Sequence, residues 1–147
     1  MAEKGHYIPA GQKHVLCQTY LLEHPEVVLK ALFNGHHQEY RARLHGEYPT
    51  QVFQQEQQSP KVDIAAEITG HNHKEVVLIE IKGNTDDTRR NEALEALRRY
   101  RRHIDGDNGN PALKAVPITR GLAIQGYEIN GSGEPTFRIT PISFLSS

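Results

Sequence analysis

The chain has 147 residues, 37% of them hydrophobic and 24% charged, with a formal net charge of −1 and one cysteine. That length fits a single domain spanning residues 1–147 with a core of its own. No apolar run approaches the ~20 residues of a membrane span, and the near-neutral balance gives no bulk attraction to polyanions. The lone Cys17 excludes an internal disulfide, and Met1 to Gly11 lacks a basic start followed by an apolar stretch, so a cytoplasmic protein without a membrane segment is expected.

In chain order, Met1 to Gly11 reads as a loose polar terminus. Gln12 to Leu22 carries Val15, Leu16, Thr19 and Leu22 at helical spacing, and Cys17 in the same apolar segment reads as core filler. A second helix is predicted from Pro25 to Phe33 with Val28, Leu29 and Leu32 inward, Pro25 in its first turn and Asn34-Gly35 ending it. Residues 1–34 thus form a helical N-terminal extension and 35–147 the core. His36 to His45 reads as a third, short helix containing Glu39, followed by a strand at about Tyr48 to Gln55.

Lys61 to Ile68 and Val76 to Lys82 are predicted strands, the second rich in β-branched residues, joined by a polar turn over Gly70, His71, Asn72 and His73. The period-2 geometry of a strand sends Glu80 and Lys82 to one face and Ile79 and Ile81 to the other. Paired antiparallel, this hairpin brings Asp63 beside Glu80. Two carboxylates held that close repel unless a cation lies between them, and an oxygen-only ligand set suits Mg²⁺ or Mn²⁺. Lys82 alongside could orient or help deprotonate a water, or stabilise charge building on a phosphate.

Gly83 and Asn84 break the strand, and Asp86 and Asp87 precede a basic helix, with Asp87 as the expected cap. The inner face of that helix is Ala93, Ala96, Leu97, Tyr100 and Ile104. Between Thr88 and Ile104 stand Arg89, Arg90, Arg98, Arg99, Arg101 and Arg102 against Glu92 and Glu95, a net of +4, so the remainder carries −5. That concentration points to phosphate contact by the arginine face. The bland alternative is a solvated face with helical ion pairs. Asp105 to Ala112 is a flexible loop. Two closing strands, about Leu113 to Ile129 with a bend near Gly121 and Thr136 to Phe144, are joined by Asn130-Gly131-Ser132-Gly133. The order of elements predicts an α/β (α+β) fold with a mixed central sheet flanked by helices.

Other constellations carry less. His71-Asn72-His73 spells the letters of the HNH nucleases, whose residues are dispersed, so the string is a turn. His36, His37, His71 and His73 lack the spacing of a zinc site. Neither a phosphate-binding Gly-Lys loop nor a Gly-x-Ser-x-Gly elbow is present.

Pro60, Asp63, Glu80 and Lys82, with sixteen residues between Asp63 and Glu80, resemble the P…D, E-x-K pattern of the PD-(D/E)xK nuclease superfamily, which includes restriction endonucleases and archaeal Holliday-junction resolvases. The resemblance implies a restriction-endonuclease-like core and a Mg²⁺-dependent endonuclease. Asp63, Glu80 and the backbone carbonyl of Ile81 would hold the Mg²⁺ (or Mn²⁺), and Lys82 would serve the attacking water. It implies a further acid on the helix leading into the first core strand: Glu39 is the expected residue, with Glu26 and Glu56 as rivals. Some relatives carry Gln-Leu-x-x-Tyr on the helix after E-x-K; here Leu97 and Tyr100 fit and Ala96 replaces the Gln. The implied partners are DNA or RNA, a second copy of the chain as a homodimer, and a partner subunit that fixes the substrate. The alternative expectation is a nuclease fold that binds nucleic acid or protein in a defence or repair complex without cutting.

Overall fold

The structure, a computed structural model, describes residues 8–53 and 59–145. Two helices, α1 (Ala10–Glu23) and α2 (Glu26–Leu32), lead through a 3-10 turn (His37–Glu39) into a meander of β1 (Tyr40–Pro49), β2 (Lys61–Gly70) and β3 (His73–Lys82). Helix α3 (Asp87–Asp105) and the short α4 (Pro111–Lys114) then cross to β4 (Arg120–Ile129), which returns to β5 (Pro135–Ser143). The five strands form one sheet in the order β1-β2-β3-β4-β5. β1–β2, β2–β3 and β4–β5 are antiparallel, while β3–β4 is parallel. A parallel neighbour needs a crossover, and α3 with α4 supplies it. The expected mixed sheet flanked by helices is what the chain forms.

β3 sits at the centre, and its unbroken apolar run follows from cover on both faces. One face packs Ile64, Ile68, Val77, Ile79, Ile81 and Ile124 with Cys17 and Leu21 of α1 and Val28 and Leu29 of α2. The other packs Val62, Ala65, Val76 and Leu78 beneath Leu97 and Ile104 of α3. Among the described residues no helix is long and apolar enough to cross a membrane.

Three sequence expectations shift. The third helix, His36 to His45, is a strand from Tyr40: Tyr40, Ala42 and Leu44 alternate into the core while Arg41 and Arg43 stand exposed, a period of two that outweighs helical spacing. β1 consequently ends at Pro49, so the strand expected at Tyr48 to Gln55 keeps only its first two residues, and positions 54 and 55 lie outside the described residues. The long strand from Leu113 begins at Arg120, because Asn110 Oδ1 accepts from Ala112 N at 3.0 Å and Pro111 starts a helical turn.

The inward face of α1 also differs. Cys17 and Leu21 are buried, whereas Val15 is 59% exposed and Leu16 and Leu22 are exposed as well. The side of α1 facing the sheet runs through His14, Cys17, Gln18 and Leu21, spaced i, i+3, i+4, i+7, so two polar side chains share it.

Candidate metal and hydrolytic site

The site lies where β2 and β3 part. Their ladder runs from Gly70↔His73 to Ile64↔Ile79 and stops there. In place of the next rung, Asp63 Oδ2 accepts a hydrogen bond from the backbone N–H of Ile81 at 2.8 Å. β3 meanwhile stays paired with β4 through Glu80↔Ala123 and Lys82↔Gln125. Beyond that point Asp63 and Glu80 are neighbours, as the hairpin geometry predicts.

Glu80 is buried, and its Oε1 has no hydrogen-bond partner among the described residues. Burial first, and then the charge of Asp63, push its carboxyl up to about 8. Lys82 opposes that shift and stands on the same side of β3, half-buried, its Nζ 3.9 Å from Glu92 Oε1 of α3. That contact is long, with Glu92 half-exposed, and holds the ammonium weakly.

Two helices flank the pair. From α3, Tyr100 comes close enough that burial and the charges of Glu80 and Asp63 push its phenol up to about 12. From α1, burial and the charge of Asp63 push the Cys17 thiol up to about 12, which leaves it protonated and unreactive. His14 Nε2 lies 3.2 Å from Asp63 Oδ2, and that bond, against the cost of burial, raises the imidazole above its ordinary value. Gln18 Nε2 donates to the backbone oxygen of Asp63 at 2.9 Å and to Glu47 Oε2 at 3.0 Å. On β4, buried Gln125 donates to the oxygens of Asn84 and Asp86 at 2.8 and 3.0 Å, fixing the turn that follows Lys82.

Asp63, Glu80, Ile81 and Lys82 thus come together. Glu39 does not. It precedes Tyr40, which pairs with Gly70, seven residues along β2 from Asp63 and so roughly 23 Å away at strand rise. Glu39 is exposed there, 3.5 Å from His36 Nδ1. Among its rivals, Glu26 is exposed in the first turn of α2, and Glu56 lies outside the described residues. On the leading elements, Glu47 of β1 holds a left-handed φ of 51°, falls across from Asp63 between the pairs Gly46↔Ile64 and Tyr48↔Val62, and is linked to it through Gln18.

The arginines of α3 are less free than their number implies. Arg89 pairs with Glu92 at 3.1 Å, Arg90 with Asp87 at 3.6 Å, Arg98 with Glu95 at 3.5 Å and Arg101 with Asp105. Arg101 Nε also donates to Ile118 O. Flanking Asp87 and Asp105 therefore join the two glutamates, and four arginines have a carboxylate partner. Arg99 lies over the Tyr100 ring, 5.5 Å from its centroid, and Arg102 is exposed. The helix cap is Asp86, whose Oδ1 accepts from Arg89 N; the expected cap, Asp87, instead binds Arg138 of β5 at 2.9 Å.

Sequence reasoning missed His14, Gln18, Glu47 and Gln125. A signal existed for the first two: polar residues one turn apart, interleaved with Cys17 and Leu21, mark a buried helix face with polar work to do. Glu47 and Gln125 gave none, since both follow from register.

The residues fit a hard divalent cation. The donors that reach the Asp63 side chain bind at Oδ2, Glu80 Oε1 has no hydrogen-bond partner among the described residues, and Mg²⁺ is commonly bound by one or two carboxylates plus water. Among the described residues no three His, Cys, Asp or Glu side chains converge as a ready-made metal cage. No family model, curated protein or solved structure matches this chain.

Proposed function

We propose that this chain is a metal-dependent nuclease that hydrolyses DNA phosphodiester bonds. One observation carries the reading: Glu80, buried, with an oxygen that has no partner among the described residues and a carboxyl pushed up to about 8, stands beside Asp63 at the parting of β2 and β3. Burying like charges without compensation is costly, and such sites are kept where a cation or a reaction uses them. The topology adds support. Helices, three strands, a helical crossover and two more strands is an order compatible with the PD-(D/E)xK resemblance, and a restriction-endonuclease-like core is part of this proposal.

In this reading Asp63, Glu80 and the carbonyl of Ile81 hold Mg²⁺ or Mn²⁺, which when bound supplies positive charge to the scissile phosphate and acidifies water. Lys82 orients the attacking water and faces the charge that builds on the phosphate. Tyr100 and the buried wall of β3 limit water around the pair, and Arg99 and Arg102 meet the nucleic-acid backbone without reading its sequence.

The test is incubation of purified protein with plasmid, single-stranded DNA and RNA in Mg²⁺, Mn²⁺ or EDTA. Metal-dependent nicking is expected, lowered by at least ~10²–10³-fold in Asp63→Ala and in Lys82→Ala, with nucleic-acid binding by Lys82→Ala largely kept. Cleavage that survives both substitutions would sink the proposal. The second reading, a nuclease-like fold that binds without cutting, draws on Ala96 in place of the relatives' Gln and on Glu39 standing away from the pair; it predicts binding in EDTA and no nicking with any metal.

A further inference from the structure

By sequence, residues 1–34 are an extension added to a core. The contacts of α1 say otherwise. Asp63 is held at two levels from this one helix: its side chain by His14 and its backbone oxygen by Gln18, four residues later on the same face. An ionised carboxylate only accepts, so the His14 nitrogen facing it carries the hydrogen. Oδ2 then receives both donors, His14 and the Ile81 N–H, and the carboxylate plane is fixed with Oδ1 left over. A second bond from Gln18, to Glu47, ties β1 to the same point.

The helix is seated as closely as the chain allows. A Cβ on Gly83, the residue after Lys82, would stand 2.1 Å from the backbone oxygen of Ala10, in the first turn of α1. At the other end, a Cβ on Gly46 would meet Leu22 at 3.2 Å. Glycine at these two places lets α1 lie against the end of β3 and against β1 short of that strand's end at Pro49, with His14 and Gln18 between the two contacts.

We propose that His14 and Gln18 are positioning residues for the hydrolytic site: α1 sets the orientation of Asp63 and thereby presents Oδ1 to the cation shared with Glu80. This inference rests on the nuclease reading and assigns α1 to the working part of the molecule. Outer partners that orient a metal-ligating group change affinity or rate by about 10–100-fold when removed.

The experiment uses the full chain as wild type, His14→Ala, His14→Gln and Gln18→Ala. It measures Mn²⁺ affinity by calorimetry without substrate, the Mg²⁺ concentration for half-maximal cleavage, DNA binding in EDTA and the melting temperature. His14→Ala is expected to bind Mn²⁺ about 10-fold or more weakly and to need correspondingly more Mg²⁺, with DNA binding in EDTA unchanged. His14→Gln, which keeps an N–H donor of similar reach, should recover most of both effects, and Gln18→Ala should fall between. If His14→Ala matches wild type in Mn²⁺ affinity and Mg²⁺ requirement, the inference fails. It fails too if His14→Gln is as impaired as His14→Ala and both melt equally lower, which is the mark of mere packing. A wild-type protein that neither binds Mn²⁺ nor cleaves overturns the nuclease reading itself, an outcome distinct from a cleaving wild type unaffected by His14→Ala.

Discussion

β3 carries two buried glutamates, Glu75 near its start and Glu80 near its end, 5% and 8% exposed, yet their surroundings are opposite. Arg120 of β4 grips Glu75 with both prongs, at 3.0 and 2.7 Å, and His73 adds a further hydrogen bond at 2.6 Å. Burial pushes the Glu75 carboxyl up, but the bonds from Arg120 and His73 outweigh it and hold it below its ordinary value. Among the described residues Glu80 has no such fork. Its Oε1 is unpartnered there and its neighbour is another carboxylate, so burial and repulsion act together and carry it up to about 8. The same residue type at similar depth on one strand is thus a strut at one end and an unmet demand for positive charge at the other.

The largest effect on stability is expected from breaking the strut. Arg120→Ala removes the fork and leaves Glu75 charged and buried, which should cost about 3–5 kcal/mol; urea unfolding at neutral pH measures it. Arg120 also lies over the Phe33 ring, 4.9 Å from its centroid, so poorer packing deepens the effect. Acid tests the same ion pair. Because the folded carboxyl of Glu75 is depressed, the unfolded chain takes up its proton first as pH falls. The stabilisation is whole above the ordinary value of 4.5 and drains away below it. Glu75→Gln should flatten that decline, and an unchanged slope of stability from about pH 5 down to about pH 3 would remove Glu75 as its source.

The converse substitution should do the reverse at the other end. Glu80→Gln replaces a carboxyl that must take up a proton on folding at neutral pH with an amide that is neutral in both states. At neutral pH without divalent metal it should raise stability by about 1–3 kcal/mol while abolishing cleavage. Mn²⁺ should then raise the melting temperature of wild type and leave Glu80→Gln nearly unmoved, since only a protein that binds the ion gains from it. A variant less stable than wild type in EDTA would mean that Glu80 is a structural carboxylate like Glu75.

How much of this was legible follows from the same contrast. β3 announced itself because a strand covered on both faces must be apolar throughout, and the Asp63–Glu80 meeting followed from pairing two strands across a short turn. β1 did not, since Tyr40, Ala42 and Leu44 alternate with cations over too few residues to exclude a helix, and misreading it put Glu39 beside a site it lies far from. α1 was recognised as a helix but turned wrongly: apolar spacing chose Val15 and Leu22, while the face that matters mixes Cys17 and Leu21 with His14 and Gln18. Hydrophobic periodicity finds a core; it misplaces a surface whose buried polar groups serve a site. Spacing did offer Asp87 to Arg90 and Asp105 to Arg101, at i, i+3 and i, i+4, but reading Asp87 as a cap and Asp105 as loop left both out of the charge count for the helix.

That last point yields the smallest expected effect, and it carries the comparison of met and unmet charge to the surface. An arginine already paired with a carboxylate offers little to a phosphate, because binding must first undo the pair. Arg102 is exposed with no acid partner among the described residues, and Arg99 is engaged by the Tyr100 ring. Arg101 is tied to Asp105 and Ile118. Arg99→Ala with Arg102→Ala should therefore weaken DNA binding a few-fold and lower the slope of log affinity against log salt by about one for each phosphate no longer neutralised. Arg98→Ala, which breaks only the exposed pair with Glu95, should leave that slope nearly unchanged. Equal slopes for the two variants would mean that the polyanion does not distinguish paired from unpaired arginines, and the nucleic-acid path would then have to be sought away from this end of α3.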